Sequence, residues 1–201
     1  TTAIGTGHAN GYDITVQTDG KILLAGRSNN GTNFDFAIVR YNSDGSLDSS
    51  FGSSGILTTS IGAGNDTGYS LTLQDDGKIL VAGSSNNGTN DDFALVRYNS
   101  DGSLDTSFGT GGIITTAVGA GSDVAYTVTT QANGKILLAG SSHNGSYNDF
   151  ALVRYNADGS LDTSFAIVNT LGGTVAFTEG GAAVVLDANV QIFDAELSPL
   201  N

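Results

Sequence analysis

Gly20-Lys21-Ile22-Leu23-Leu24-Ala25-Gly26 and Phe36-Ala37-Ile38-Val39-Arg40-Tyr41-Asn42 decide how this chain is read, because both segments come back twice. The first returns at Gly77 and Gly134, the second at Phe93 and Phe150. The segment Asp44-Gly45-Ser46-Leu47-Asp48 returns at Asp101 and Asp158. The offset is constant: 20, 77 and 134 are 57 residues apart. A fixed period of this size marks stacked or radial copies of one supersecondary unit. Function is then expected from the assembled surface rather than from one special residue.

Each unit holds four candidate strands. Tyr12 to Gln17 alternates strictly, with Tyr12, Ile14 and Val16 on one face. Lys21 to Ala25 and Phe36 to Tyr41 are apolar almost throughout, the pattern of strands buried on both faces. Ile56 to Ile61 is β-branched and more polar, the pattern of an edge strand. No window shows helical spacing. Asp19-Gly20, Asp76-Gly77 and Asn133-Gly134 separate the first two strands and predict type I′ hairpins. Asn30-Gly31 and its copies lie between the second and third strands, and Asp44-Gly45 follows the third.

A four-stranded antiparallel meander of this length has the size of one propeller blade. A β-solenoid, the competing architecture, uses shorter rungs and does not need a hairpin at every reversal. The expectation is therefore an all-β chain of three propeller blades, with units at about 6–62, 63–119 and 120–165. Propellers usually close with about 4–8 blades. Thr1 to Gly5 copies Thr58 to Gly62 and reads as an orphan outer strand. The third unit has only a loose substitute for its own, Ala166 to Thr170. Closure by strand exchange or dimerisation follows as an expectation, as does a filament of donated strands. The start within a unit also suggests a processed product or a piece of something longer.

The formal charge is −13, from 7 cations and 20 acids. Such a surface repels nucleic acid and anionic lipid and suits cations. The sequence has no run of about 18 apolar residues that would suggest a membrane-inserted helix. Without Cys there are no disulfides and no thiolate chemistry. Both Glu residues and the only Pro follow residue 165, whereas all seven Lys and Arg precede it. Identity between units also stops there, so 166–201 reads as a linker and a separate, truncated segment.

The run from Asp19 to Gly26, with Asp35 to Gly52, resembles the delta-60 repeat over about residues 1–165. That resemblance implies β-propellers in large secreted or surface-attached bacterial proteins, with no established catalytic activity. Phe177 to Asp187, with Asp194-Ala195-Glu196-Leu197, is similar to the opening of bacterial cadherin-like domains. That similarity implies a tandem adhesin context and places Glu179 and Asp194 like calcium ligands.

Asn42-x-Asp44-Gly45-x-x-Asp48 is the most suggestive chemical motif, repeated with Asp101/Asp105 and Asp158/Asp162. Alternating oxygen ligands before a Gly resemble part of a calcium loop. Arg40 stands where an EF-hand-like loop needs an acid, and no closing Glu follows. Turn chemistry alone accounts for these residues. Arg40, Arg97 and Arg154 lie in apolar strands and need partners, for which Asp35, Asp92 and Asp149 stand nearest in the strand. Asp66 and Asp123 occupy repeated loops that could line a ligand mouth. His8 and His143 share no register, and no catalytic triad or paired Glu recurs.

The reading that results is a non-catalytic structural or adhesive module, extracellular or on a bacterial surface. Its expected partners are copies of itself or other surface proteins. A carbohydrate-binding propeller and a subunit of an extracellular filament or surface layer are the alternatives. No cofactor is required, and calcium is the one ion the acidic loops suggest.

Overall fold

Short apolar runs bounded by Gly, Asn and Asp form strands, because β-branched and aromatic side chains pack on a pleated surface and the flanking residues allow the reversals. The structure, a computed structural model, describes residues 1–5 and 7–165. Among them there is no helix, and three antiparallel sheets follow one another along the chain. The first contains β1 (Ala9–Val16), β2 (Ile22–Asn29), β3 (Phe34–Tyr41) and β4 (Ile56–Thr59), in that order. The second repeats it with β5 (Asp66–Leu73), β6 (Ile79–Asn86), β7 (Asp91–Tyr98) and β8 (Ile113–Thr116). The third contains β9 (Asp123–Thr130), β10 (Ile136–His143) and β11 (Asn148–Tyr155). The expected outer strand of the third unit, Ala166 to Thr170, lies outside the described residues.

Two cores form between consecutive sheets. Leu23, Ala25, Phe36 and Ile38 of the first sheet meet Leu71, Val81 and Val96 of the second. Leu80, Phe93 and Leu95 of the second meet Val128, Leu138 and Val153 of the third. Every sheet thus has a face toward the preceding unit and a face toward the following one. This is why β6 and β7, in the middle sheet, are buried along nearly their whole length. The first strands β1, β5 and β9 lie against one another in sequence.

Two local features differ from the expectation. The hairpin turns are not type I′. At Gln17–Lys21 only Gly20 has positive φ, at +83°, and its N–H reaches the carbonyl of Gln17 at 2.9 Å. This is a type I turn followed by a left-handed glycine, with Asp19 accepting the N–H of Lys21 through its carboxylate. The second strand also runs past Gly26 to Asn29 rather than stopping at Ala25. Gly26 sits inside the strand because β1 bulges opposite it: a Cβ there would stand 1.8 Å from the carbonyl oxygen of Asn10.

Candidate functional site

The acidic residues singled out in the sequence fall into two kinds. Asp44, Asp101 and Asp158 are exposed turn residues. Each accepts the N–H and the hydroxyl of the Ser two residues on, at 2.6–2.9 Å. Those serine hydrogen bonds hold all three carboxyls below the ordinary range.

Asp48, Asp105 and Asp162 are buried and bind protein cations. Asp48 Oδ2 receives Lys21 Nζ at 2.8 Å and Arg40 Nε at 2.7 Å, while Oδ1 receives the N–H and hydroxyl of Ser50. Asp105 is held by Lys78, Arg97 and Ser107, and Asp162 by Lys135, Arg154 and Ser164. The hydrogen bond from Lys21 is the main reason Asp48 titrates far below normal, that from Ser107 for Asp105, and that from Lys135 for Asp162. Each guanidinium also lies on a phenyl ring, Arg40 over Phe51 at 4.4 Å and Arg97 over Phe108 at 4.1 Å. In two of them Nη1 crosses to the next sheet: Arg40 to the carbonyl of Ser100, Arg97 to that of Ala157 at 2.7 Å. The motif is therefore a clasp between units. The arginine partner is Asp48, not Asp35. Residues 35 and 40 are five apart in one strand, about 17 Å at ~3.3 Å per residue, whereas the turn folds Asp48 back beside Arg40. Asp35 instead receives the amide of Asn30.

Asp66 and Asp123 do not line a mouth. Both are fully buried, and they accept the backbone N–H groups of Ile61 and Gly62, and of Val118 and Gly119. They pin the connection from one unit to the next. Burial pushes the Asp66 carboxyl upward. His143 replaces the Asn found in the other copies, accepting the N–H of Gly145 on Nδ1 where Asn29 and Asn86 use their amide oxygen. Glu179 and Asp194 lie outside the described residues, and no group of three His, Cys, Asp or Glu suited to a metal occurs among the described ones.

One recurrent feature escaped the sequence reading. Register shifts in β1, β5 and β9 leave Tyr12, Tyr69 and Tyr126 without a cross-strand partner. The bulge turns each ring toward its counterpart in the next unit. Tyr12 and Tyr69 are 5.2 Å apart between centroids, Tyr69 and Tyr126 5.5 Å. The two end rings are 44% and 55% exposed. Arg27 stands beside this ladder, 4.2 Å from the Phe34 ring and 5.9 Å from Tyr12. Among the described residues it makes no ion pair with a carboxylate, and its buried Nε has no hydrogen-bond partner. The signal was present in the sequence: a tyrosine at the same place in all three copies, each after a Gly or Ala.

Three segments, residues 17–51, 74–108 and 131–165, match a family model described as "Domain of unknown function (DUF5122) beta-propeller". The chain belongs to this β-propeller repeat family. Each matched segment of the DUF5122 repeat runs from the hairpin before the second strand through the third strand to the phenylalanine under the arginine. It includes the whole carboxylate clasp and excludes the tyrosine ladder and the outer strand. No curated protein matches the chain.

Proposed function

We propose that this propeller chain is a non-catalytic structural and adhesive module of a large secreted or surface-attached bacterial protein. The observation that carries this reading is how its ionisable groups are used. Six of the seven cations are tied to Asp48, Asp105 and Asp162, the first two of these clasps join one unit to the next, and Asp66 and Asp123 hold backbone. These groups build a rigid acidic frame and do not converge on an acid–base pair. Repeated copies of one surface favour multivalent attachment, in which weak single contacts add. The delta-60 and cadherin-like resemblances support an extracellular setting. Calcium at Glu179 and Asp194 belongs to the same proposal. A melting temperature raised by calcium and restored by chelation, with the effect lost in Glu179→Ala, would support it.

Beads coated with the chain should attach to bacterial envelopes or extracellular matrix in proportion to coating density, with no product released. Release of sugar or peptide products would replace this reading with an enzymatic one.

The tyrosine ladder favours a second reading, a carbohydrate-binding propeller, because a row of rings exposed at both ends offers stacking faces to a sugar chain. Oligosaccharide binding measured by calorimetry should weaken at least tenfold in Tyr126→Ala. Retention of full affinity would remove the ladder from that role.

A further inference from the structure

The chain contains one interface twice and, at its two ends, the separate halves of the same interface. In the two complete copies Gly102 and Gly159 lie against the rings of Phe51 and Phe108, so closely that a Cβ would stand 2.9 and 2.8 Å from a ring carbon. The hydroxyls of Tyr98 and Tyr155 meet those of Thr59 and Thr116 at 2.8 and 2.7 Å. Phe36 and Phe93 are sealed between sheets, 1% and 0% exposed.

At the ends the equivalent groups stand open. Phe150, the counterpart of Phe36 and Phe93, is 78% exposed and borders an apolar trough with Tyr126, Ala139 and Leu152. Ile14, the counterpart of the buried Leu71 and Val128, is 63% exposed. Gly45, the counterpart of Gly102, has nothing within 4 Å of a Cβ position. Phe165 keeps its stack with Arg154 at 4.2 Å. Among the described residues Arg154 Nη1 has no carbonyl of a following sheet and contacts Gln131 Oε1, at 3.5 Å.

The chain also holds a piece of what the first sheet expects from a preceding unit. Tyr41 donates its hydroxyl to Thr2 Oγ1 at 2.9 Å, repeating the pairs made by Tyr98 and Tyr155 one and two units on. Ser28 donates to the carbonyl of Ile4 at 3.0 Å. Thr1 to Gly5 thus takes, against the first sheet, the place that Thr59 and Thr116 and their flanking residues take against the second and third. In the complete sheets Phe36 is opposite Thr59 and Ala37 opposite Thr58. By the 57-residue repeat, Thr2 corresponds to the partner of Phe150, and Thr1 to that of Ala151, on the edge of β11 that pairs with no described strand.

We propose that a second copy of this chain docks head to tail on these ends, and that two such contacts close a ring of six sheets. In each contact Phe165 of one copy covers Gly45 of the other, and Arg154 donates to the carbonyl of Ser43 of the other. Phe150 is buried against the face that carries Ile14, and the N-terminal segment extends that edge of β11. A heterologous contact closes only when its rotations sum to a full turn, and six lies within the usual range of about 4–8 blades. The proposal does not depend on the adhesive reading: a chain that stays monomeric and still attaches to envelopes would overturn only the ring.

Light scattering on the 201-residue chain should give twice its 20.3 kDa, independent of concentration above the dimer's dissociation range. Phe150→Asp and Ile14→Asp should each halve that mass while keeping the circular dichroism and cooperative melt, since both side chains are open in the single chain. The chain has no cysteine, so Thr2→Cys combined with Phe150→Cys should oxidise to covalent dimers. Monomers at every concentration overturn the proposal. So does a dimer indifferent to both Asp substitutions. Growth into ever longer species overturns closure in favour of a filament.

Discussion

Asp105 carries more of this architecture than its neighbour Asp101, although the sequence writes both into one turn. Its carboxylate is 8% exposed and neutralises a guanidinium that is equally enclosed. Removing that charge leaves Arg97 unpaired in a buried setting, which costs about 3 kcal/mol or more in comparable cases. Asp105→Asn should therefore lower the stability of the chain by about that amount in urea unfolding. Asp101→Asn should have a much smaller effect, because Asn also makes Asx turns and the site is in water. Equal losses would show that the clasp is not what joins the units. The residue types of the clasp were legible in the sequence, and so was the need of each Arg for an acid. Its pairing was not: whether Arg40 meets Asp35 or Asp48 depends on which residue the turn brings alongside.

The element that carries the tyrosine ladder is the bulged first strand. Each bulge drives a carbonyl toward the facing glycine, so that a Cβ on Gly83 would lie 1.8 Å from the oxygen of Thr67. Gly88, by contrast, has φ +98° and open space around it. Gly83→Ala should cost about 3 kcal/mol through displaced backbone, toward the upper end for overpacking. Gly88→Ala should cost about 1–2 kcal/mol from the left-handed backbone alone. Urea midpoints of the two variants compare them directly; the reverse order would count against the bulge. Strand alternation predicted the existence of β1 and placed Tyr12 on one face with Ile14 and Val16, an alternation that the bulge at Tyr12 interrupts. It could not predict the bulge, because an extra residue in one strand has meaning only against the register of its partner.

At the scale of the molecule the acid response follows from the same groups. Asp48, Asp105 and Asp162 have native pKa values below the ordinary value of about 3.9, so the unfolded chain takes up protons first as pH falls. Their stabilisation is complete above about pH 5 and is lost as pH drops through about 4 toward the native values. Asp66 acts the other way. Its raised pKa favours the protonated native state, so its contribution is largest in acid and fades as pH rises. Three clasps oppose one buried carboxyl, and the urea midpoint should decline from about pH 5 to about pH 2. A flat or rising profile would mean that the clasps do not stabilise the fold. The tyrosine buried at the second core, Tyr155, has its phenol pushed up to about 12 by burial and stays neutral throughout this range.

By itself the sequence determined the repeat, its period, the run of strands in each unit and the positions of the turns. These depend on contacts between near neighbours: alternation along a strand, and glycine where the chain must enter the left-handed region. Only the tertiary structure decided that Asp48 clasps Arg40, that three tyrosines form a ladder, and that complementary faces stand open at the two ends. Those outcomes depend on distances between strands and between sheets, which no local pattern of residues encodes.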